Sequence, residues 1–586
     1  MATPGYRRDR RVAICAGLAI IATTTGCSAA PDSRNSVQSA QVDSLFRSTI
    51  RPDAPGCAVG VYRSGEIVLA RGYGVASIED GRPLTSRSTF NLGSASKPFT
   101  ALAALMLVER GQLALDDDVR RWVPELPDYG RPIRVFDLLQ HTSGLRDFGT
   151  LEVLAGRDVT TQTQFLRLIA SQRGLNFEPG TRHEYSHTDF GVLGLIIQRV
   201  VGVPFGQHMQ QAVFAPLGMH ASFVDDRSTN ASRDRAFGHS VSLEGPSVEF
   251  PTSQTFGGDN VYASVEDLAR FDRNFDRPLV GGEATIARML SRPVLPSGDT
   301  IPYAYGLRLG VYRGLKTIWR RGHPPGTHAV FLRFPEQRFT VATLCNSDDL
   351  EAPRLAERVA DIYLGAAMSP ASKRAPAPTA VVLPPDALAR YAGTYRPIDD
   401  PWDVWPIEVR QGVLGEVVFD DATDEVFYPM TPAGDGRFFE VGRTGVVGRF
   451  TFRPTASGGP LRLEMSWNDE PIGASERVTD AAIWRPSAVA SAEYAGFWSC
   501  PDLDAGWQLE ARGAKLVLRR PGQVDLTLRP VARDQYLRGF GPDGAVSARL
   551  QFRRDRAGRV SELVVSTPPG EDSVRDLRCT RAGSIS

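Results

Sequence analysis

Asn91-Leu-Gly-Ser94-Ala-Ser-Lys97-Pro-Phe-Thr-Ala101 places a serine three residues before a lysine, at the head of an apolar-periodic segment that predicts a helix over 98–110. Positions i and i+3 share a face on the first turn of a helix, so the Ser94 hydroxyl and the Lys97 amine can meet. The helix N-terminus also presents backbone N–H groups to a developing oxyanion. A serine hydroxyl is a weak nucleophile without a base beside it, and a buried lysine can serve as that base. The plainer reading makes Ser94 an N-cap and Lys97 a solvated first-turn residue. S-x-x-K is common, so this fragment alone leaves both readings open.

The next informative stretch is Phe177-Glu-Pro-Gly180-Thr-Arg-His-Glu-Tyr185-Ser-His187-Thr-Asp-Phe-Gly-Val-Leu-Gly194. Packing is the commoner fate of a tyrosine. Here, however, Tyr185 follows a Pro-Gly turn and precedes an amphipathic segment over 190–201, which puts its hydroxyl on an exposed loop. Around these two segments, residues 36–368 read as one unit. A helix is expected over 37–49 and strands over 57–62 and 66–72. Helices follow at 98–110, 135–139, 162–171 and 190–201, then strands at 318–321, 328–334 and 339–344, and a last helix at 353–363. Strands at both ends with helices between imply a sheet closed by the termini, a helical lobe beside it, and a site at their junction.

With Leu139-Gln-His141-Thr-Ser-Gly144-Leu145 and Phe334-Pro335-Glu336 added in the expected order, the chain resembles the serine β-lactamase and D-alanyl-D-alanine-peptidase superfamily over roughly residues 40–365. Within it the likeness is to the class C-like branch that includes esterases and D-aminopeptidases. The resemblance implies an α+β fold: a β-lactamase/transpeptidase-like domain, antiparallel sheet plus helical lobe, followed by two antiparallel β-barrel-like (lipocalin-like) domains. It implies that Ser94 attacks, that Lys97 and Tyr185 exchange protons, and that water releases a Ser94-linked acyl-enzyme. The implied substrate is a small ester, amide or D-amino-acid peptide, with no cofactor. His141–Leu145 is expected to be a structural brace far from the chemistry.

Two positions depart from the family pattern. Its Tyr-x-Asn reads Tyr185-Ser-His187, and its Lys- or His-x-Gly strand motif has no plain match. Lys316-Thr317 is a decoy, because Ile318 follows where Gly is required. Counting back from Gly326 and Phe334-Pro335 places Arg320-Arg321-Gly322 on the motif. Strand alternation then sets Arg320 and Gly322 on one face, with the His323 N–H as a second oxyanion donor. The rival alignment takes His323-Pro-Pro as the motif. His187, Arg320, Gly322 and His323 are therefore the expected substrate-binding set, and poor turnover of β-lactams is expected from the departures. The alternative function is a catalytically impaired penicillin-binding-like sensor; a carrier role for the C-terminal barrels is a third.

Further outward, Arg7, Arg8, Arg10 and Arg11 precede an apolar run from Val12, so residues 1–30 read as a secretory signal too short to span a bilayer. Thr25-Gly26-Cys27 resembles the end of a lipobox, which would attach the protein to a membrane through Cys27. Ser28-Ala29-Ala30 offers ordinary cleavage instead. Either ending exports the protein, to the periplasm or as an outer-membrane lipoprotein of a bacterium. Cys57 and Cys345 are expected as buried strand residues, Cys500 and Cys579 as a disulfide pair. A Pro/Ala linker at 369–380 separates the 36–368 unit from two β-domains, 381–485 and 486–586. In these, Tyr391-Ala-Gly393 recurs as Tyr494-Ala-Gly496, Phe452 as Phe552, and Phe438 as Tyr536. Lys plus Arg and Asp plus Glu number 67 each, which disfavours nucleic acid as a partner. The histidines and cysteines show no zinc-ligand spacing, so no metal is expected.

Overall fold

The computed structural model describes residues 33–226, 234–242, 245–249, 257–370, 378–398, 404–418, 426–441, 447–455, 459–467, 470–479, 484–540, 546–568, 570 and 572–582. The signal segment with Cys27 and most of the 369–380 linker lie outside them. At the centre is a seven-stranded antiparallel sheet ordered Glu66–Tyr73, Cys57–Arg63, Phe339–Cys345, His328–Phe334, Leu315–Gly322, Leu307–Tyr312, Tyr303–Ala304. The chain's first and last strands of this unit are neighbours, as the sequence implied. The terminal helices Ser33–Thr49 and Ala352–Leu364 cover one face, packing Val42, Phe46, Leu355 and Val359 on Val59 and Val341. The helical lobe covers the other. Its central helix, Lys97–Glu109, is buried from Lys97 to Leu107, so it reads as apolar on every side. Helices Phe148–Ala155, Phe205–Met209, Val265–Asp276 and Gly282–Met289, none of them expected from the sequence, add to the lobe.

Cys57 and Cys345 face each other in register on adjacent strands and form a buried disulfide. Their burial was expected; the bond was not, because the sequence does not give the register. The Cys500–Cys579 disulfide is present as expected.

Beyond the linker, nine antiparallel strands between Gly393 and Val478 form one curled sheet, and eight between Gly496 and Arg581 close into a barrel. The repeat has a structural meaning. Each Tyr-Ala-Gly ends a short helix and starts the first strand. Its tyrosine is buried, and its carbonyl accepts from a ring four residues on: Tyr395 OH to Tyr391 O at 2.8 Å, Trp498 Nε1 to Tyr494 O at 3.1 Å. The same tyrosines carry Phe452 and Phe438, or Phe552 and Tyr536, at 4.7–5.4 Å between ring centroids. The two units differ in attachment. The first has its own core cluster, whereas the second shares a continuous core with the helical lobe.

Candidate active site

Ser94 sits in a one-turn 3₁₀ helix, Gly93–Ser96, that runs directly into the helix starting at Lys97. Ser94 therefore makes no side-chain cap, and its hydroxyl is available to other groups. Lys97 Nζ, fully buried, donates to Ser94 Oγ at 3.1 Å and to the Gly258 carbonyl at 3.0 Å. Tyr185 OH lies 2.6 Å from Ser94 Oγ. All three expected catalytic side chains thus converge on one oxygen.

Arg320 and Gly322 share the buried face of the strand Leu315–Gly322, while Arg321 between them is exposed. Arg320 Nη2 donates to Tyr185 OH at 2.8 Å, and its Nε donates to the Ser94 carbonyl at 3.0 Å. Arg320, expected in the substrate-binding set, is thus bonded to both Ser94 and Tyr185. Gly322 is required by close approach: a Cβ there would lie 1.8 Å from Leu92 O and 2.9 Å from Ser94 N. The His323 amide adjoins the same loop, 3.2 Å from where a Cβ on Gly93 would stand. His323 is exposed, and its ring lies tilted against that of His328, 3.8 Å between centroids. Lys316, the decoy, pairs with Glu336 through an exposed contact.

His187 opens the helix His187–Val201. Its N–H donates to Asp147 Oδ2 at 2.7 Å, and its Nδ1 lies 3.2 Å from Asp147 Oδ2 and 3.1 Å from Asp572 Oδ1. Burial favours the neutral ring, but the charges of Tyr185, Asp572 and Asp259 outweigh it and hold His187 well above its ordinary value. Tyr185 shifts the other way. Burial would raise it, yet Lys97, His187 and Arg320 hold it below the usual phenol range. A tyrosine so placed can accept the Ser94 proton.

Three carboxylates in the site escaped the sequence reading. Asp147 caps the helix Phe148–Ala155 and reaches His187. Asp259, in the turn after Gly257-Gly258, accepts from Ser94 Oγ at 3.3 Å and from Lys97 Nζ at 3.4 Å. Asp572 comes from the second barrel, and its N–H donates to the Tyr185 carbonyl at 2.9 Å. A further correction concerns His141. It braces the loop, but not far from the chemistry: its ring lies 4.5 Å from that of Tyr185. It bonds Asp189 at 2.8 Å and Tyr303 OH at 2.9 Å, and burial pushes His141 down and Asp189 up.

The chain belongs to the Beta-lactamase family, whose model matches residues 42–364, more than half of its length. Esterase EstB of Burkholderia gladioli is 33% identical over 271 residues, 39% of this chain and 68% of that protein. Penicillin-binding protein 4* of Bacillus subtilis is 29% identical over 310 residues, 49% of this chain and 66% of that one. D-aminopeptidase of Brucella anthropi is 27% identical over 329 residues, 54% and 61%. The chain thus spans somewhat under two thirds of the length of the latter two relatives. Among solved structures, the octameric penicillin-binding protein homologue from Pyrococcus abyssi shares the fold at 22% identity and a TM-score of 0.52, covering 75% of this chain and all of that one.

Proposed function

We propose that this protein is an exported hydrolase that forms an acyl-enzyme at Ser94 and cleaves esters, amides or D-amino-acid peptides, with weak turnover of β-lactams. The observation that carries the reading is the convergence of Tyr185 OH at 2.6 Å and Lys97 Nζ at 3.1 Å on Ser94 Oγ. Tyr185 takes the hydroxyl proton as Ser94 Oγ attacks the carbonyl carbon. The Ser94 and His323 amides then face the oxyanion, and the proton passes to the leaving group through Tyr185 and Lys97. Water, activated by the same pair, releases the acid. The names of the relatives, an esterase and D-aminopeptidases, support this substrate range. The inward set of Arg320 supports poor β-lactam turnover, since its guanidinium is engaged by Tyr185 and Ser94. The signal segment and the two disulfides support export.

Intact-mass analysis after fluorophosphonate treatment tests the reading. Wild type is expected to gain one adduct and Ser94→Ala none, with faster hydrolysis of p-nitrophenyl acetate than of nitrocefin. Equal labelling of both proteins would remove Ser94 from the mechanism.

A further inference from the structure

Asp259 has no counterpart in the Ser-Lys-Tyr scheme, yet it lies closer to the nucleophile than any other carboxylate described. Its Oδ1 accepts from both Ser94 Oγ and Lys97 Nζ, and its side chain is 20% exposed. The turn that bears it is fixed to the nucleophile segment. Thr100 Oγ1 donates to Gly257 O at 2.6 Å, Ser96 Oγ donates to the Asp259 carbonyl, and the Val261 N–H donates to Ser96 Oγ at 3.0 Å. A Cβ on Gly257 would meet Phe190 O at 2.4 Å, so the turn also abuts the Tyr185-proximal helix without slack. These contacts fix the backbone of the turn, and the bonds to Ser94 Oγ and Lys97 Nζ hold the carboxylate itself.

We propose that Asp259 is a specificity-determining residue: its carboxylate, held against Ser94 and Lys97, selects acyl donors with no negative charge beside the scissile carbonyl and disfavours those that carry one. The proposal rests on acylation at Ser94. Its logic is electrostatic. The nearby cations are engaged inward, Lys97 by Ser94, Gly258 and Asp259, Arg320 by Tyr185 and Ser94, and His187 by Asp147 and Asp572. In each pair the carboxylate is the outward member, Asp259 at 20% exposure against fully buried Lys97 and Asp572 at 42% against His187 at 26%, so an acyl chain entering towards Ser94 meets the negative end of the pair. Like charges brought together in a desolvated site are strongly disfavoured, whereas a neutral or cationic chain is not.

The p-nitrophenyl esters of butyrate and monosuccinate, corrected for spontaneous hydrolysis, differ chiefly in one terminal carboxylate. Wild type is expected to prefer butyrate by at least about tenfold in kcat/KM. Asp259→Asn, which keeps the shape, is expected to close most of that gap through KM, and Asp259→Glu to keep it. Asp259 also opposes ionisation of Tyr185, alongside Lys97, His187 and Arg320, which favour it. Asp259→Asn should therefore move the acid limb of the acylation rate to lower pH, a shift that a merely structural role would not produce. Wild type accepting both esters equally overturns the proposal without any variant. So does an unchanged ratio in Asp259→Asn while fluorophosphonate still labels Ser94. Absence of labelling in wild type overturns the hydrolase reading itself, and this inference with it.

Discussion

Arg320 shows how one side chain can alter a site without changing its plan. A planar guanidinium can bond the Ser94 carbonyl through Nε and the Tyr185 oxygen through Nη2 at once, from a rigid fork that a lysine lacks. Removing this cation from beside Tyr185 makes the phenolate harder to form. Arg320→Gln is therefore expected to move the acid limb of the pH–kcat/KM profile to higher pH and to lower the rate at pH 7 by roughly ten- to a hundredfold. A profile superposable on wild type would show that Arg320 does not act through Tyr185. Gly322 is the steric counterpart. With a Cβ 1.8 Å from Leu92 O, Gly322→Ala must push the nucleophile loop off its position. A displacement of about 1 Å costs on the order of a hundredfold in rate, so fluorophosphonate labelling should slow by that order while circular dichroism stays native. Unchanged labelling would mean the loop yields freely.

Among the elements, the segments written locally in the sequence were legible and those completed from afar were not. Ser94-x-x-Lys97 declares itself because both groups lie on one turn, and Tyr185 because a Pro-Gly turn and a helix start bracket it. Gly257-Gly258 announces a turn before Asp259, but not that the turn docks on the nucleophile helix. Nothing near His187 announces Asp572, which arrives from the last barrel. Likewise Cys57 and Cys345 were legible as strand residues, while their pairing needed the sheet register. The join of the helix start at His187 to Asp147 and Asp572 has a pH signature. His187 has a raised folded pKa, so its contribution is fully present below the unfolded value, about 6.5, and is lost as pH rises through the folded value. The melting-temperature advantage of wild type over His187→Asn should thus be greatest near pH 6 and shrink towards pH 9. A difference that stays flat or grows over that range would rule out a charged clamp.

On the scale of the whole molecule, two β-units of related sequence are used differently. The second is fastened to the helical lobe by a buried Arg146–Asp502 pair at 2.6 Å, by Arg520 donating to the Val153 carbonyl at 2.7 Å, and by the Asp572–Ser573 segment. There the Thr150 hydroxyl donates to the Asp572 carbonyl at 2.6 Å, and the Asp147 N–H donates to the Ser573 carbonyl at 3.1 Å. The core of that barrel runs into the lobe's, so loosening the barrel loosens the wall behind Tyr185 and His187. The first unit keeps its own core. The internal repeat supplies a matched test. Phe452 and Phe552 occupy equivalent places, each against the tyrosine of Tyr-Ala-Gly and each almost fully buried. Truncating either to alanine should cost its own unit roughly 3–5 kcal/mol. Phe552→Ala is expected to lower both the melting temperature and the rate of fluorophosphonate labelling at Ser94, because the clamp on His187 is carried by the weakened barrel. Phe452→Ala is expected to destabilise only its own unit, leaving the labelling rate within about twofold of wild type, as additivity of distant sites requires. If the two substitutions slow labelling equally, the second barrel has no privileged part in holding the site. If neither does, the Asp572 contact is decoration on a site that the Ser94, Lys97 and Tyr185 elements hold by themselves.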